Sequence, residues 1–137
     1  MRRNVIVDTG PIVASLNLRD AGHDWAAQQL KDIEPPLLTC EAVISESCFL
    51  LRHTPDGKHR VLEMVERGVI SLPFHLDAEI APITGFFRKY ADVPISLADA
   101  CLVRMAELWS GSPILTFDGD FLIYRKNSNQ VIETIMP

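Results

Sequence analysis

Asn4-Val5-Ile6-Val7-Asp8-Thr9-Gly10-Pro11, near the start of the chain, sets a short β-branched run directly against an acid and a helix-opening triplet. Val and Ile in succession fit a buried strand, whereas Asp-Thr-Gly-Pro breaks a strand and puts Pro at an early helical position. A strand therefore ends where Asp8 begins. Beyond it, helical periodicity recurs over residues 12–16, 23–33, 41–53, 56–67, 77–90 and 97–109. Short apolar pieces lie between: Leu37-Leu38, Val69-Ile70-Ser71-Leu72, Pro113-Ile114-Leu115-Thr116 and Val131-Ile132-Glu133-Thr134. Short strands alternating with helices predict an α/β domain with a mostly parallel sheet. In such sheets ligands bind outside the carboxyl ends of the strands, near the point where strand order reverses. Asp8 follows one strand and Asp118 another, so the two carboxylates converge if those strands are neighbours.

The 137 residues, 47% hydrophobic and 23% charged, fit one soluble domain spanning residues 1–137. A chain of this length buries roughly two thirds of its unfolded surface around one core. No apolar run approaches the ~18 residues of a membrane span, and the N-terminus lacks the apolar stretch of a signal peptide, so the cytoplasm is the expected compartment. Cys40, Cys48 and Cys101 cannot all pair within one chain and show no C-x-x-C spacing; they are expected as reduced core residues. The net charge of −5 argues against a nucleic-acid partner unless the acids are concentrated. Five of the 18 acids, Asp8, Glu46, Asp99, Asp118 and Asp120, are assignable to one site, which leaves 13 acids against 13 bases elsewhere. A cation bound there would reverse the local sign.

Asp8 and the Asp118-Gly119-Asp120 turn each also suit ordinary capping or turn roles. Glu46 says more. At about 100° per residue it shares a helix face with Ala42, Phe49 and Leu50, flanked by Val43, while Ser45 and Arg52 lie on another side. A carboxylate in an apolar stripe needs an ion pair, a metal or a helix edge that reaches water. Asp99 repeats the pattern between Leu102, Val103 and Ala106, although Ser96 three residues earlier also makes it part of a capping box. Together, two acids at strand ends and two on helix margins fit a hard-cation site, because Mg²⁺ and Mn²⁺ prefer carboxylate and water oxygens. His23, His53, His59 and His75 form no zinc signature.

At these residues the sequence resembles the PIN-domain nuclease family, most closely the bacterial type II toxins called VapC. The motifs are Val7-Asp8-Thr9-Gly10-Pro11, Leu38-Thr39 followed by Glu46, Ser96-Leu97-Ala98-Asp99-Ala100, and Leu115-Thr116-Phe117-Asp118-Gly119-Asp120-Phe121. Their order and spacing run through nearly the whole chain. The resemblance implies a three-layer domain with a central, mostly parallel sheet between helices, in which Asp8, Glu46, Asp99 and Asp118 hold Mg²⁺ or Mn²⁺ and support RNA hydrolysis. It also implies that Thr116 and Thr9 line the site and that Asp120 matches a less constant acid. A cognate antitoxin and a homodimer follow from the same resemblance, the dimer supported by apolar residues such as Leu108 and Trp109.

The chemistry implied is metal-assisted hydrolysis of a phosphodiester, with no side-chain nucleophile. Substrate grip falls to scattered bases: Arg52, Lys58 and Arg60, with His53 and His59, between the third and fourth helices, and Arg88-Lys89 at the end of the fifth. These equally suit solvated helix ends or an antitoxin tail. A haloacid-dehalogenase-type phosphatase also uses Asp-x-Asp after a strand, but only 17 residues follow Asp120, too few for the rest of that fold. A receiver domain would carry paired acids after its first strand and a Lys after its last. The competing function is a PIN domain that keeps its acids but serves as an RNA-binding or protein-interaction module.

Overall fold

The computed structural model describes residues 1–137. Five short strands, β1 (Ile6–Val7), β2 (Leu37–Leu38), β3 (Ile70–Ser71), β4 (Ile114–Leu115) and β7 (Thr134–Ile135), form one sheet in the order β3-β2-β1-β4-β7. All its pairings are parallel, with Ile6 opposite both Leu38 and Ile114, and Val7 opposite Leu115. Parallel strands require crossovers, and here helices supply three of them. α1 (Thr9–Leu16) and α2 (His23–Asp32) connect β1 to β2, and α3 (Glu41–Leu50) and α4 (Gly57–Glu66) connect β2 to β3. α5 (Ile80–Lys89) and α6 (Leu97–Leu108) then return the chain to the far side of β1. The order of strands therefore reverses between β1 and β4.

Val5, Ile6, Val7, Ile114 and Leu115 are fully buried, as expected for central strands covered on both faces. α1 packs against α2, α3 and α4, whereas α5 packs against α6, and α6 touches β1. Seven residues of α6 are buried, from Ala98 to Ala106, so this helix runs through the interior rather than over it. Thr39 caps the buried end of β2 by donating its hydroxyl to the Val7 carbonyl at 2.7 Å. The three cysteines are free, with Cys40 and Cys101 buried. No helix is long and apolar enough to cross a membrane.

Four elements differ from the sequence expectation. α1 begins at Thr9 instead of residue 12, because Asp8 accepts the Thr9 N–H at 2.7 Å and Gly10-Pro11 fit the first turn. α3 stops at Leu50; the following turn brings Asp56 to a left-handed φ of 55° and sets Gly57 against Leu51. A Cβ on Gly57 would stand 2.5 Å from the Leu51 carbonyl oxygen, so only glycine permits this close approach of α4 to the turn. α5 is entered through a 3₁₀ turn, Leu76–Glu79. The expected last strand over residues 131–134 is split. β6 (Gln130–Val131) pairs antiparallel with β5 (Arg125–Lys126) in a separate hairpin, and β7 alone joins the sheet. Asn127 and Ser128 have positive φ values of 48° and 75°, which closes the hairpin tightly, and the Glu133 carbonyl then accepts the Ile114 N–H at 2.9 Å.

Candidate functional site

The β1–β4 pairing places Asp8 and Asp118 side by side beyond the carboxyl ends of their strands. The Asp8 N–H donates to the Leu115 carbonyl at 3.0 Å, extending the ladder by one residue, so the Asp8 side chain starts from a fixed backbone. Thr116, fully buried, donates its hydroxyl to Asp8 Oδ2 at 2.7 Å and accepts the Asp118 N–H at 2.9 Å. One hydroxyl thus ties the two acidic segments together. Asp99 reaches the same point from the first turn of α6, whose N-cap Ser96 accepts the Asp99 N–H at 3.0 Å. Oxygens of Asp8, Asp99 and Asp118 all lie within 4.8 Å of one another. They line a cleft of about 460 Å³ with Thr9, Glu46, Ser96 and Phe117 among its walls.

Three carboxylates at this separation repel each other, and burial adds to the cost of charging them. Burial holds the Asp8 carboxyl above its ordinary value; hydrogen bonds from Thr116 and Thr9 oppose the shift, and the charges of Asp118 and Glu46 reinforce it. Asp99 is pushed up to about 6, by burial first and then by Asp8, with the Tyr124 hydroxyl opposing and Asp118 adding. The positive ends of α1 and α6, where Asp8 and Asp99 sit, favour their charged forms. The buried Thr9 hydroxyl beside Asp8 has no hydrogen-bond partner.

A PIN domain family model matches residues 5–127. The chain belongs to the PIN domain family. No curated protein matches it. Among solved structures, VapC20 of Mycobacterium tuberculosis, a toxin that cleaves the sarcin-ricin loop, aligns with a TM-score of 0.75 at 22% identity, covering 85% of this chain and 91% of that one. That likeness is one of fold, and it extends the match beyond the local motifs to the whole arrangement of sheet and helices.

Within this PIN domain the expected site residues fall into three groups. Asp8, Asp99, Asp118, Thr9 and Thr116 meet at the cluster or directly behind it. Glu46 lines the same cleft but is exposed and lies outside the cluster. The face it shares with Phe49 and Leu50 is not the buried one expected: α3 buries Val43, Ile44 and Ser47, while Phe49 and Leu50 are 61% and 50% exposed. Apolar residues surround this helix on nearly every side, so periodicity alone does not orient it, and Ser47 becomes buriable by donating to the Val43 carbonyl at 2.8 Å. Asp120 also stays outside the cluster; its N–H donates to Asp118 Oδ1 at 2.9 Å and so holds that carboxylate in place.

Two supporting residues escaped the sequence. The Tyr124 hydroxyl lies 3.1 Å from both Asp99 Oδ2 and the Pro94 carbonyl. Burial, then the Asp99 charge, raises the Tyr124 pKa, so the phenol remains a donor. Phe117 packs on Trp25 with ring centroids 5.2 Å apart and fills the space where side chains on Gly10 and Gly22 would stand, at 3.0 and 2.7 Å. That wedge fixes the segment between Thr116 and Asp118. Neither contact leaves a local pattern, because each joins parts of the chain that are distant in sequence.

The raised Asp99 pKa has a definite sign in stability. Between 3.8, the ordinary value, and about 6, the folded chain binds more protons at Asp99 than the unfolded chain does. Metal-free protein should therefore lose stability as pH rises through that window, with no further loss from this residue above it. Asp99→Asn should unfold at higher urea than wild type at neutral pH in EDTA, and with a flatter pH dependence, since the Ser96 cap uses the backbone N–H and survives. Superimposable pH profiles for the two proteins would refute the crowding.

Proposed function

We propose that this PIN domain is a Mg²⁺- or Mn²⁺-dependent endoribonuclease and the toxin of a toxin–antitoxin pair. The observation that carries the proposal is the triad Asp8, Asp99 and Asp118 at the strand-order reversal of a PIN fold. The fold likeness to a toxin that cleaves the sarcin-ricin loop supports RNA as the substrate class. The donor set suits a hard cation: three carboxylates of like charge within 4.8 Å of one another, Asp8 and Asp99 with raised pKa, and an unpartnered Thr9 oxygen beside them.

In this proposal Asp8, Asp99 and Asp118 would hold the ion, Glu46 would add its charge from the wall of the same cleft, and Asp120 acts by positioning Asp118. A bound cation supplies Lewis acidity towards the phosphodiester and lowers the pKa of water. The chain's own residues do the rest. Thr116 and the Thr9 N–H each occupy one oxygen of Asp8, which fixes the carboxylate plane. Tyr124 holds one oxygen of Asp99, Oδ2. Water is the attacking group in this proposal, since no His, Cys or Lys lines the cleft to activate the Thr9 or Ser96 hydroxyl there. The water oxygen bonds to phosphorus, the bridging P–O bond breaks, a proton of the water passes to the leaving oxygen, and a phosphomonoester end and a hydroxyl end result.

Purified protein should cut RNA in Mn²⁺ and stop in EDTA. Asp8→Asn should abolish cleavage, and Thr116→Val, which removes only the hydroxyl behind Asp8, should lower the rate about 10–100-fold. Cleavage that persists in Asp8→Asn would refute the assignment. A toxin restrained by an antitoxin should also slow growth when expressed alone, and Asp99→Asn should relieve it. The accompanying homodimer is proposed to form about Leu108, 42% exposed, and Trp109. Sedimentation at high concentration should give a dimer mass, and a monomer would reject that interface.

A further inference from the structure

The residues expected to grip substrate divide sharply in the structure. Arg52 folds back on its own helix end, its guanidinium 4.0 Å from the centroid of the Phe49 ring and donating to the Phe49 carbonyl at 2.8 Å. Lys58 is exposed on α4 and lines no part of the cleft or of the groove beside it. Arg60 does line that groove, an open channel of about 760 Å³ between the end of α1, the turn from α3 to α4, and α4 itself. His53, one of the bases expected to grip substrate, lines it too, and so does Arg19, which carries no such mark in the sequence.

We infer that this groove is a track for the phosphodiester backbone of the RNA strand on one side of the cut, with Arg19 and Arg60 as its phosphate contacts. The inference rests on the ribonuclease function proposed above and adds to it the residues that hold the strand. Continuity is the first observation: Leu50 lines both the carboxylate cleft and this groove, and Glu46 lies one turn earlier on the same helix face. A strand whose phosphate sits at the cluster has the groove as an adjoining exit.

Charge is the second. In a chain of net charge −5, no acid lines this groove, and neither Arg19 nor Arg60 takes part in an ion pair. Glu63, which shares a neighbouring hollow with Arg60, is already paired with Arg67 at 2.8 Å. The only hydrogen bond from the Arg60 side chain is a long one, 3.5 Å to the Leu16 carbonyl, and the Arg19 guanidinium makes none. Free guanidinium groups present forked donors that match phosphate oxygens. The acidic cleft itself repels a polyanion, so the attraction must come from beside it. Leu18 and Leu50, both well exposed, give the groove an apolar wall against which sugar and base faces can lie.

The inference is tested by binding, independently of cleavage. A fluorescent oligoribonucleotide of about ten nucleotides is titrated with wild type, Arg19→Ala, Arg60→Ala and the double variant in Ca²⁺ without Mg²⁺ or Mn²⁺, over a range of salt. Each alanine should weaken binding about tenfold at low salt and lower the slope of log affinity against log salt by roughly 0.7. The lysine variants of both positions should keep most of the slope, and Arg3→Ala, which removes the same charge at the exposed pair with Glu34, should bind as wild type. Unchanged affinity and slope in the double variant would overturn the inference. So would a poly-glutamate peptide that binds in an Arg19- and Arg60-dependent way while RNA does not, because the groove would then belong to an acidic protein segment. Cleavage that fails in the Mn²⁺ assay would sink the proposed function and leave this binding result to stand or fall separately.

Discussion

Thr116 donates a hydrogen bond to Asp8 across the boundary between β1 and β4, and the geometry of the whole site depends on it. The bond joins two strands that are 108 residues apart in the chain, at the place where the sheet reverses its order. It satisfies a carboxylate that is only 7% exposed, and through the Asp118 N–H it also sets the loop that carries the second acid. An isolated buried carboxylate is costly, so it persists only where donors or a counter-ion hold it. Here the donors are a buried hydroxyl and one backbone N–H, and mutual repulsion among three acids leaves a deficit that a cation is suited to remove.

The rest of the fold supplies support for that point. α6 is buried along most of its length, and a helix so enclosed can place Asp99 against Asp8 without freedom to move away. Tyr124, itself buried between Tyr90 and Phe121 with ring centroids 5.1 and 5.4 Å away, holds Oδ2 of Asp99. Phe117 locks the loop after β4 against α1 and α2. Acidic and basic functions are thus separated in space: the acids converge at the strand ends, while unpaired guanidinium groups lie beyond Leu50. The proposed cation site and the proposed track for a polyanion need such a division.

Much of this was legible in the sequence. The strand ending at Asp8, the Ser96 cap and the Asp118 turn are local signals, since each depends on residues within a few positions of one another. The convergence of Asp8 and Asp118 followed from a topological rule for parallel sheets, whereas Asp99, on a helix, was joined to them by its place on an apolar margin and by the resemblance; the structure brings all three together. The face of α3 that Glu46 shares with Ala42, Phe49 and Leu50 turns towards solvent instead of the core, because Ala42, Val43, Ile44, Phe49 and Leu50 give the helix two apolar sides and tertiary packing chose Val43, Ile44 and Ser47. Tyr124 and Arg19 were invisible for a different reason. Each acts on a partner brought near only by folding, and a lone Tyr or Arg in a turn carries no periodicity to mark it.

The central claim is that Asp8, Asp99 and Asp118 form one cation site. Mn²⁺ binding at neutral pH, followed by the loss of the free-ion electron paramagnetic resonance signal, measures this without any substrate. Wild type should bind Mn²⁺ saturably, and Asp8→Asn, with an unchanged circular dichroism spectrum as the check that it is folded, should lose that binding. Equal binding by wild type and Asp8→Asn, or none by wild type, would contradict the claim.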